Sequence, residues 1–336
     1  LPQRKKTPPR PQRLTGLDRS VNRARVSGPF TLAHLSDPHV GPLPQARLGE
    51  LMSKRLTGYW NWHRSRHRIH DMPTLKRLMA DVAAHKPDHV ALTGDIVNIG
   101  LPSEFPAAAR VIAPLGGPRD VSIVPGNHDV YVRNSYAAME HCFGAFMRGD
   151  DLLATEFPYM RVRGRIALIG LCSGIPTAPL LASGACGDRQ LGRLGEMLRA
   201  AGAGGMARVV MIHHPPLSTG ATFGRGLRDA RQFEAVLRRA GAELVVHGHN
   251  HSQSVRWLER PGGPAVPVVG VASASAVPGT PRHRAAYHLF QIGPDDDGAW
   301  RIEMTTRVVD PEHGMATLGR RMLRHGRARE TVTEAA

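Results

Sequence analysis

Residues 120–129 read Asp120-Val121-Ser122-Ile123-Val124-Pro125-Gly126-Asn127-His128-Asp129. The first five have the apolar, β-branched character of a short buried strand. The last four carry no side chain, an amide, an imidazole and a carboxylate, none of which serves a core. The same grammar recurs on both sides. Upstream, Phe30-Thr31-Leu32-Ala33-His34-Leu35-Ser36 runs into Asp37-Pro38-His39, and His89-Val90-Ala91-Leu92-Thr93 runs into Gly94-Asp95. Downstream, Arg208-Val209-Val210-Met211-Ile212 ends at His213, and Glu243-Leu244-Val245-Val246 ends at His247-Gly248-His249-Asn250-His251. Asp37, Asp95, Asn127, His213 and His249 therefore each stand at or just past the C-terminal end of an apolar strand. In α/β sheets loops converge on that edge, and ligands bind there. Chance can place one such side chain at a strand end. Five at one edge predict a site.

Helical patterns separate these strands. Asp71 to His85 repeats Leu75, Leu78, Met79 and Val82 at helical spacing, with Asp71 as N-cap and Pro73 in the first turn. Further helices are predicted over 102–115, 188–201 (Leu191, Leu194 and Leu198 on one face) and 228–240, and a strand over 165–169. Beyond His251, the segments around Val255, 266–271, 288–292 and 301–306 read as strands with no helices between them. Strands that first alternate with helices and then run together imply an α/β fold of two packed mixed β-sheets flanked by helices. Residues 1–28 are rich in Pro and Arg without apolar periodicity and read as a basic, mobile leader. Residues 29–310 form one domain with a basic aromatic insertion at 47–70, and 311–336 form a C-terminal extension.

Taken in order, D-x-H at Asp37-His39, G-D at Gly94-Asp95, G-N-H-D at 126–129, the single His213 and G-H-x-H at 248–251 resemble the calcineurin-like metallophosphoesterase family. The resemblance spans about residues 30–255 and implies a four-layer α/β/β/α catalytic domain. It implies two divalent metal ions, one held by Asp37, His39 and His251, the other by Asn127, His213 and His249, with Asp95 bridging them. Manganese, iron or zinc fits this nitrogen and oxygen set, and two-metal sites place the ions ~3.5–4 Å apart. The implied reaction is hydrolysis of a phosphodiester, phosphoester or pyrophosphate by a metal-bound hydroxide. His128 resembles the catalytic histidine at the leaving oxygen, and Asp129 the carboxylate that orients it. His213-His214 is ambiguous by itself; the family's ligand precedes the proline by two positions, which selects His213 and leaves His214 as a pocket residue. His247 reads as structural, and His34, His89 and His141 as partly buried or surface histidines without chemistry. No ligand position is substituted, so a metal-free scaffold is not expected.

The formal charge of +16 and pI near 10.9 favour an anionic partner. Besides the leader, a basic group runs through Lys54, Arg55, Arg64, Arg66 and Arg68, beside Tyr59, Trp60 and Trp62. With only 4 Trp and 5 Tyr in the chain, that clustering makes Arg55, Tyr59, Trp60 and Trp62 candidate substrate contacts. Rings beside cations suit anionic lipid or a stacked nucleotide. The segment is similar to those in bacterial calcineurin-like enzymes that cleave UDP-2,3-diacylglucosamine in lipid A synthesis. A cyclic-nucleotide phosphodiesterase is the alternative enzyme. A nucleic-acid-binding protein using the basic tail is the weakest reading, since no nucleic-acid module accompanies the tail. The three cysteines follow no paired spacing and read as free thiols in a reducing compartment. No apolar run approaches the ~18 residues of a membrane span, and the basic N-terminus has no apolar stretch behind it. The expectation is a cytoplasmic protein, with peripheral contact to an anionic inner membrane face compatible with its charge.

Overall fold

The apolar runs pair into two six-stranded sheets in the computed structural model, which describes residues 28–151, 156–220, 224–277 and 283–324. In the first, Phe30–Leu35 (β1) lies parallel to His89–Leu92 (β2), which lies parallel to Val121–Ile123 (β3). The other side of β1 pairs antiparallel with Ala286–Pro294 (β10), and Trp300–Asp310 (β11) and Gly314–Arg324 (β12) follow. In the second sheet Tyr159–Arg163 (β4) pairs antiparallel with Ile166–Gly170 (β5). Then come Ala207–Met211 (β6), Leu244–His247 (β7) and Val266–Gly270 (β9), all parallel, with Ser254–Leu258 (β8) antiparallel at the edge.

Period-2 alternation explains why these runs are apolar throughout. In the second sheet Leu168, Val209, Leu244 and Val246 join the core that also takes Leu32, Val90 and Ile123 of the first. Their neighbours Ile169, Val210 and Val245 turn the other way. They meet Leu191, Leu194 and Leu198 of Asp188–Ala203 (α6) and Phe233 and Leu237 of Ala230–Ala240 (α7). The outer face of the first sheet is served by Met72–Ala84 (α3) and Glu104–Ile112 (α4). Asp71 caps α3 as expected, its side chain accepting from Thr74 N–H at 2.8 Å. Among the described residues no helix is long and apolar enough to cross a membrane.

Several expectations change. The helix expected over 102–115 is α4 followed by a 3-10 turn at Ala113–Leu115. A helix at Ser135–Phe143 (α5) and strand β4 went unread. The boundary at 310 falls inside a hairpin, because β12 pairs along its length with β11. This edge strand buries only Leu323 and carries three arginines, so its sequence lacks the apolar signature of the inner strands. His34 and His89 are fully buried rather than partly so. The expected leader, apart from Gly28, lies outside the described residues.

At the C-terminal edge the two sheets are joined. Ser36, following β1, bridges to Ser273, following β9, and Ala274 N–H donates to Ser36 O at 2.9 Å.

Candidate metal centre

Every expected ligand sits in a loop just past a strand, and for five of the seven the backbone is strained to present it. Among the described residues seven non-glycines have positive φ, and five of them are Asp37 (52°), His39 (39°), Asp95 (52°), His249 (69°) and His251 (50°). Such conformations cost of order 1–3 kcal/mol each and persist only where the surroundings over-determine them. The glycines allow the close approach that goes with this. A Cβ on Gly248 would fall on the Ser36 hydroxyl and the Asp37 carboxylate, and one on Gly126 would fall on Asp95. Backbone bonds then draw the loops together: Asp37 N–H donates to Gly94 O at 3.0 Å, and Gly248 N–H to His213 O at 3.1 Å.

The structure brings all seven expected ligands into one cluster, six of them buried and His251 partly exposed, in two groups. His251 Nε2 lies 3.2 Å from both Asp37 Oδ1 and His39 Nε2. His213 Nε2 lies 3.2 Å from both Asn127 Oδ1 and His249 Nδ1. Asp95 Oδ2 stands between the groups, 3.3 Å from His213 Nε2 and 3.8 Å from His39 Nε2.

Contacts outside the cluster fix the tautomers. A carbonyl can only accept, so His39 Nδ1–H donates to Val97 O (3.1 Å) and His213 Nδ1–H to Thr93 O (2.6 Å). In the neutral rings both Nε2 atoms then present lone pairs to the cluster, His39 towards His251 and His213 towards Asn127, His249 and Asp95. Asp37 Oδ1 and His249 Nε2 are buried with no hydrogen-bond partner. This donor set, neutral imidazole with carboxylate and amide oxygen, fits two divalent ions. Burial disfavours a charged His213, yet the adjacent Asp95 holds its pKa up at about 9. In return His213 keeps Asp95 well below the usual carboxylate range in spite of burial.

His128 lies beside this cluster, with Nε2 4.0 Å from Asp95 Oδ2 and its ring stacked on Tyr131. Burial and then the charge of Arg66 push its pKa down to about 3. Asp129 does not orient it. The Asp129 carboxylate accepts from Ile96 N–H (2.8 Å), Val97 N–H (3.2 Å) and Gly126 N–H (2.9 Å), tying the Asp95 loop to the Asn127 loop. The acceptor for His128 Nδ1 is the Asn98 carbonyl. His214 has both ring nitrogens committed, to Ser173 Oγ (2.8 Å) and Ala182 O (3.2 Å), and its ring rests 4.6 Å from that of His249.

The insertion divides differently from expectation. It begins with Leu48–Leu51 (α1) and Arg55–Arg64 (α2). Arg55 is buried and spent on Ile99 O, Gly100 O, Asn134 and Ser135, so it anchors the insertion and cannot reach a substrate. Trp62 is buried against Gly41. Tyr59 is half-buried beside His63, and Trp60 is exposed under Arg64.

Arg66, in the 3-10 turn Arg66–Arg68, is the residue that enters the centre. Its Nη2 lies 2.9 and 3.3 Å from the two nitrogens of His39, and Nη1 lies 3.0 and 3.4 Å from those of His128. An in-line approach to one ring nitrogen would leave the other a ring width further off. The guanidinium therefore sits over the ring faces and leaves the His39 Nε2 lone pair free. Lys54 reaches Thr177 Oγ1 (2.6 Å) and Leu181 O (2.8 Å) above Tyr131, and burial lowers its pKa to about 8. The basic run made these two residues conspicuous, but spacing did not say which of its cations turn inward.

A model of the calcineurin-like phosphoesterase family matches residues 30–253. Among curated proteins, one described as a probable cyclic nucleotide phosphodiesterase, from Rhodococcus erythropolis, is 25% identical over 185 residues, covering 53% of this chain and 56% of that one. The glycerophosphodiester phosphodiesterase GpdQ of Enterobacter lignolyticus is 27% identical over 176 residues, covering 50% and 57%. The chain thus spans little more than half the length of these relatives. In fold it is similar to a dimetal phosphatase from Danio rerio, with a TM-score of 0.57 at 16% identity over 86% of this chain and 98% of that one. The family match takes in all seven clustered ligands together with His128 and Asp129, and the chain belongs to the calcineurin-like phosphoesterase family.

Proposed function

We propose that the chain is a metal-dependent phosphohydrolase acting on a phosphodiester or phosphoester bond. The observation that carries this reading is the convergence of two ligand groups on Asp95 beside an arginine without a carboxylate partner. Asp37, His39 and His251 would hold one ion, Asn127, His213 and His249 the other, and Asp95 both. When bound, such ions act as Lewis acids and lower the pKa of water towards neutrality. Arg66 makes no ion pair among the described residues, and its charge adds to theirs. Phosphate is the anion that matches a planar guanidinium above a positive floor. Lys54 adds a second cation. His128, held by Asn98 with Nε2 towards the centre, is placed to handle the proton of the leaving oxygen. A cavity of about 660 Å³ opens beside the His249 loop, lined by Arg225, Arg256, His247 and Asn250, and offers room for the rest of a substrate.

The names of both curated relatives favour a diester. One observation favours a lipid-linked pyrophosphate instead: Met52, Leu56 and Trp60 are exposed by 86%, 58% and 60% at four-residue intervals next to Lys54 and Arg64. The two readings separate in one experiment. Manganese-loaded protein is given a chromogenic diester, cyclic AMP and UDP-2,3-diacylglucosamine, with Asp95→Ala as control. Turnover of the diesters alone discards the lipid reading, whereas selective release of UMP establishes it. No turnover of any, with both ions bound, would overturn the phosphohydrolase assignment for these substrates.

A further inference from the structure

We propose that His70 is an additional ligand to the ion held by Asp37, His39 and His251, giving that ion a third imidazole. The proposal rests on the reading of those three residues as one ligand set. None of the motifs includes His70, which lies between D-x-H and G-D at the end of the insertion.

His70 is buried, with 6% of its surface exposed. Its ring centroid is 4.4 Å from that of His39 and 5.7 Å from that of His251. One ring nitrogen from each of the three lies within 4.8 Å of one on each of the others; bonds of ~2.1 Å let one ion span at most ~4.2 Å, so ligation draws the rings in by a few tenths of an ångström. A chain of hydroxyls offers an arrangement that frees one ring nitrogen. Ser273 Oγ lies 2.7 Å from the Asp37 carbonyl, which can only accept, so its proton is spent there. Ser273 Oγ is then open to accept from Ser275 Oγ at 3.3 Å. With the Ser275 proton turned that way, Ser275 Oγ accepts from His70 Nδ1 at 2.8 Å. In that arrangement His70 is protonated on Nδ1 and carries its lone pair on Nε2, the tautomer found for His39 and His213. That Nε2 has no hydrogen-bond partner among the described residues.

An unpartnered imidazole nitrogen is not enough by itself, for His34 and His89 each bury an unpartnered Nδ1. His34 and His89, however, hand their other nitrogens to hydroxyls inside the sheet, Thr93 and Ser122. His70 instead stands against two ligand imidazoles on a fixed backbone. A β-bridge joins it to Ala276, Asp71 N–H donates to Ser275 O (2.8 Å), and Val277 N–H to Ile69 O (2.8 Å). The Trp62 indole lies parallel to the ring, 2° off and with its centroid 6.4 Å away. An ion with three imidazoles prefers cobalt or zinc over manganese more strongly than its neighbour with two.

The test is titration of the metal-free full chain with Co(II), comparing wild type, His70→Gln, Ser275→Ala and His39→Gln. The readouts are the affinity of each ion and the hyperfine-shifted, exchangeable imidazole N–H signals in the proton NMR spectrum. His70→Gln is expected to weaken one ion at least ~10-fold, leave the other unchanged and remove one shifted N–H signal. Ser275→Ala, which frees the tautomer, is expected to weaken the same ion ~10-fold and covers the case in which His70→Gln fails to fold. Wild-type affinities and an undiminished set of signals in the folded variants would overturn the proposal. Should His39→Gln also bind both ions as wild type does, the underlying reading of the centre falls with it, and the control shows which failed.

Discussion

The two ends of the strands are built on opposite terms. Where β6 and β7 begin, Arg208 and Glu243 form a buried pair with Nε and Nη2 each 2.8 Å from a carboxylate oxygen, and Arg208 Nη1 also donates to Ala240 O. Beside the start of β3, the Arg161 guanidinium is shared among the carbonyls of Pro118, Val121, Ala145 and Arg148. The donors of Arg208 and Arg161 are spent there on acceptors of the protein itself. Where the same strands end, five ligands have strained backbones, and Asp37 Oδ1 and His249 Nε2 have no partner. At one end the protein's own groups answer these two guanidiniums. The other becomes complete only with what it binds, which is how a fold can be stable and still hold a site in reserve.

Breaking each end should therefore fail in a different currency. The largest effect expected is from Asp95→Ala, which removes the carboxylate shared by both groups. Turnover should fall by ~10³-fold or more, and metal content measured by emission spectrometry should drop below two ions per chain. At the opposite end, Glu243→Ala leaves the largely buried Arg208, and Arg324 beside it, without their carboxylate. It should cost about 3–5 kcal/mol in urea unfolding, with two ions still bound per folded chain. Removing the ions should reverse the pattern. Adding each back at 100 times its Kd should stabilise the chain by about 2.7 kcal/mol, seen as a rise in Tm that is lost in Asp95→Ala and kept in Glu243→Ala.

The smallest effect concerns Lys54. Burial takes its pKa from the ordinary 10.5 down to about 8. Between those values the unfolded chain binds more protons than the folded one, so this group's contribution to stability improves as pH rises from about 8 to 10.5. Over the same window the site loses a cation. KM for an anionic substrate should rise by a few-fold above pH 8, and Lys54→Met should flatten that rise. A KM that does not change with pH in the wild type would remove Lys54 from the substrate's surroundings.

What could be read in advance follows from what the sequence encodes locally. Strands ending in Asp37, Asp95, Asn127, His213 and His249 are legible because burial demands apolar runs and the ligands interrupt them. The partner of Asp129 was not legible, because its choice between the His128 ring and three backbone N–H groups depends on how near the Asp95 loop comes. Arg55 and Arg66 belong to one basic run, yet one is walled in by carbonyls of 99–100 and the other enters the centre. Composition cannot separate them; the path of α2 and the turn after it does. His70 depends on residues 273–277, about two hundred positions away, and β12 on pairing at an edge that asks little of its residues.

The join between the sheets at Ser36 and Ser273 has a mechanical consequence. Asp37, His39, Asp95 and Asn127 follow strands of the first sheet, whereas His213, His249 and His251 follow strands of the second. Each ion would therefore be gripped from both sides of the seam and act as a rivet across it. Pulling the halves apart at that edge would mean rupturing coordination bonds, while at the far edge it would mean breaking hydrogen bonds such as that from Arg161 to Val121 O. Loading with metal should slow amide exchange along the seam first, and a molecule stretched by its ends should give way elsewhere before the rivets fail.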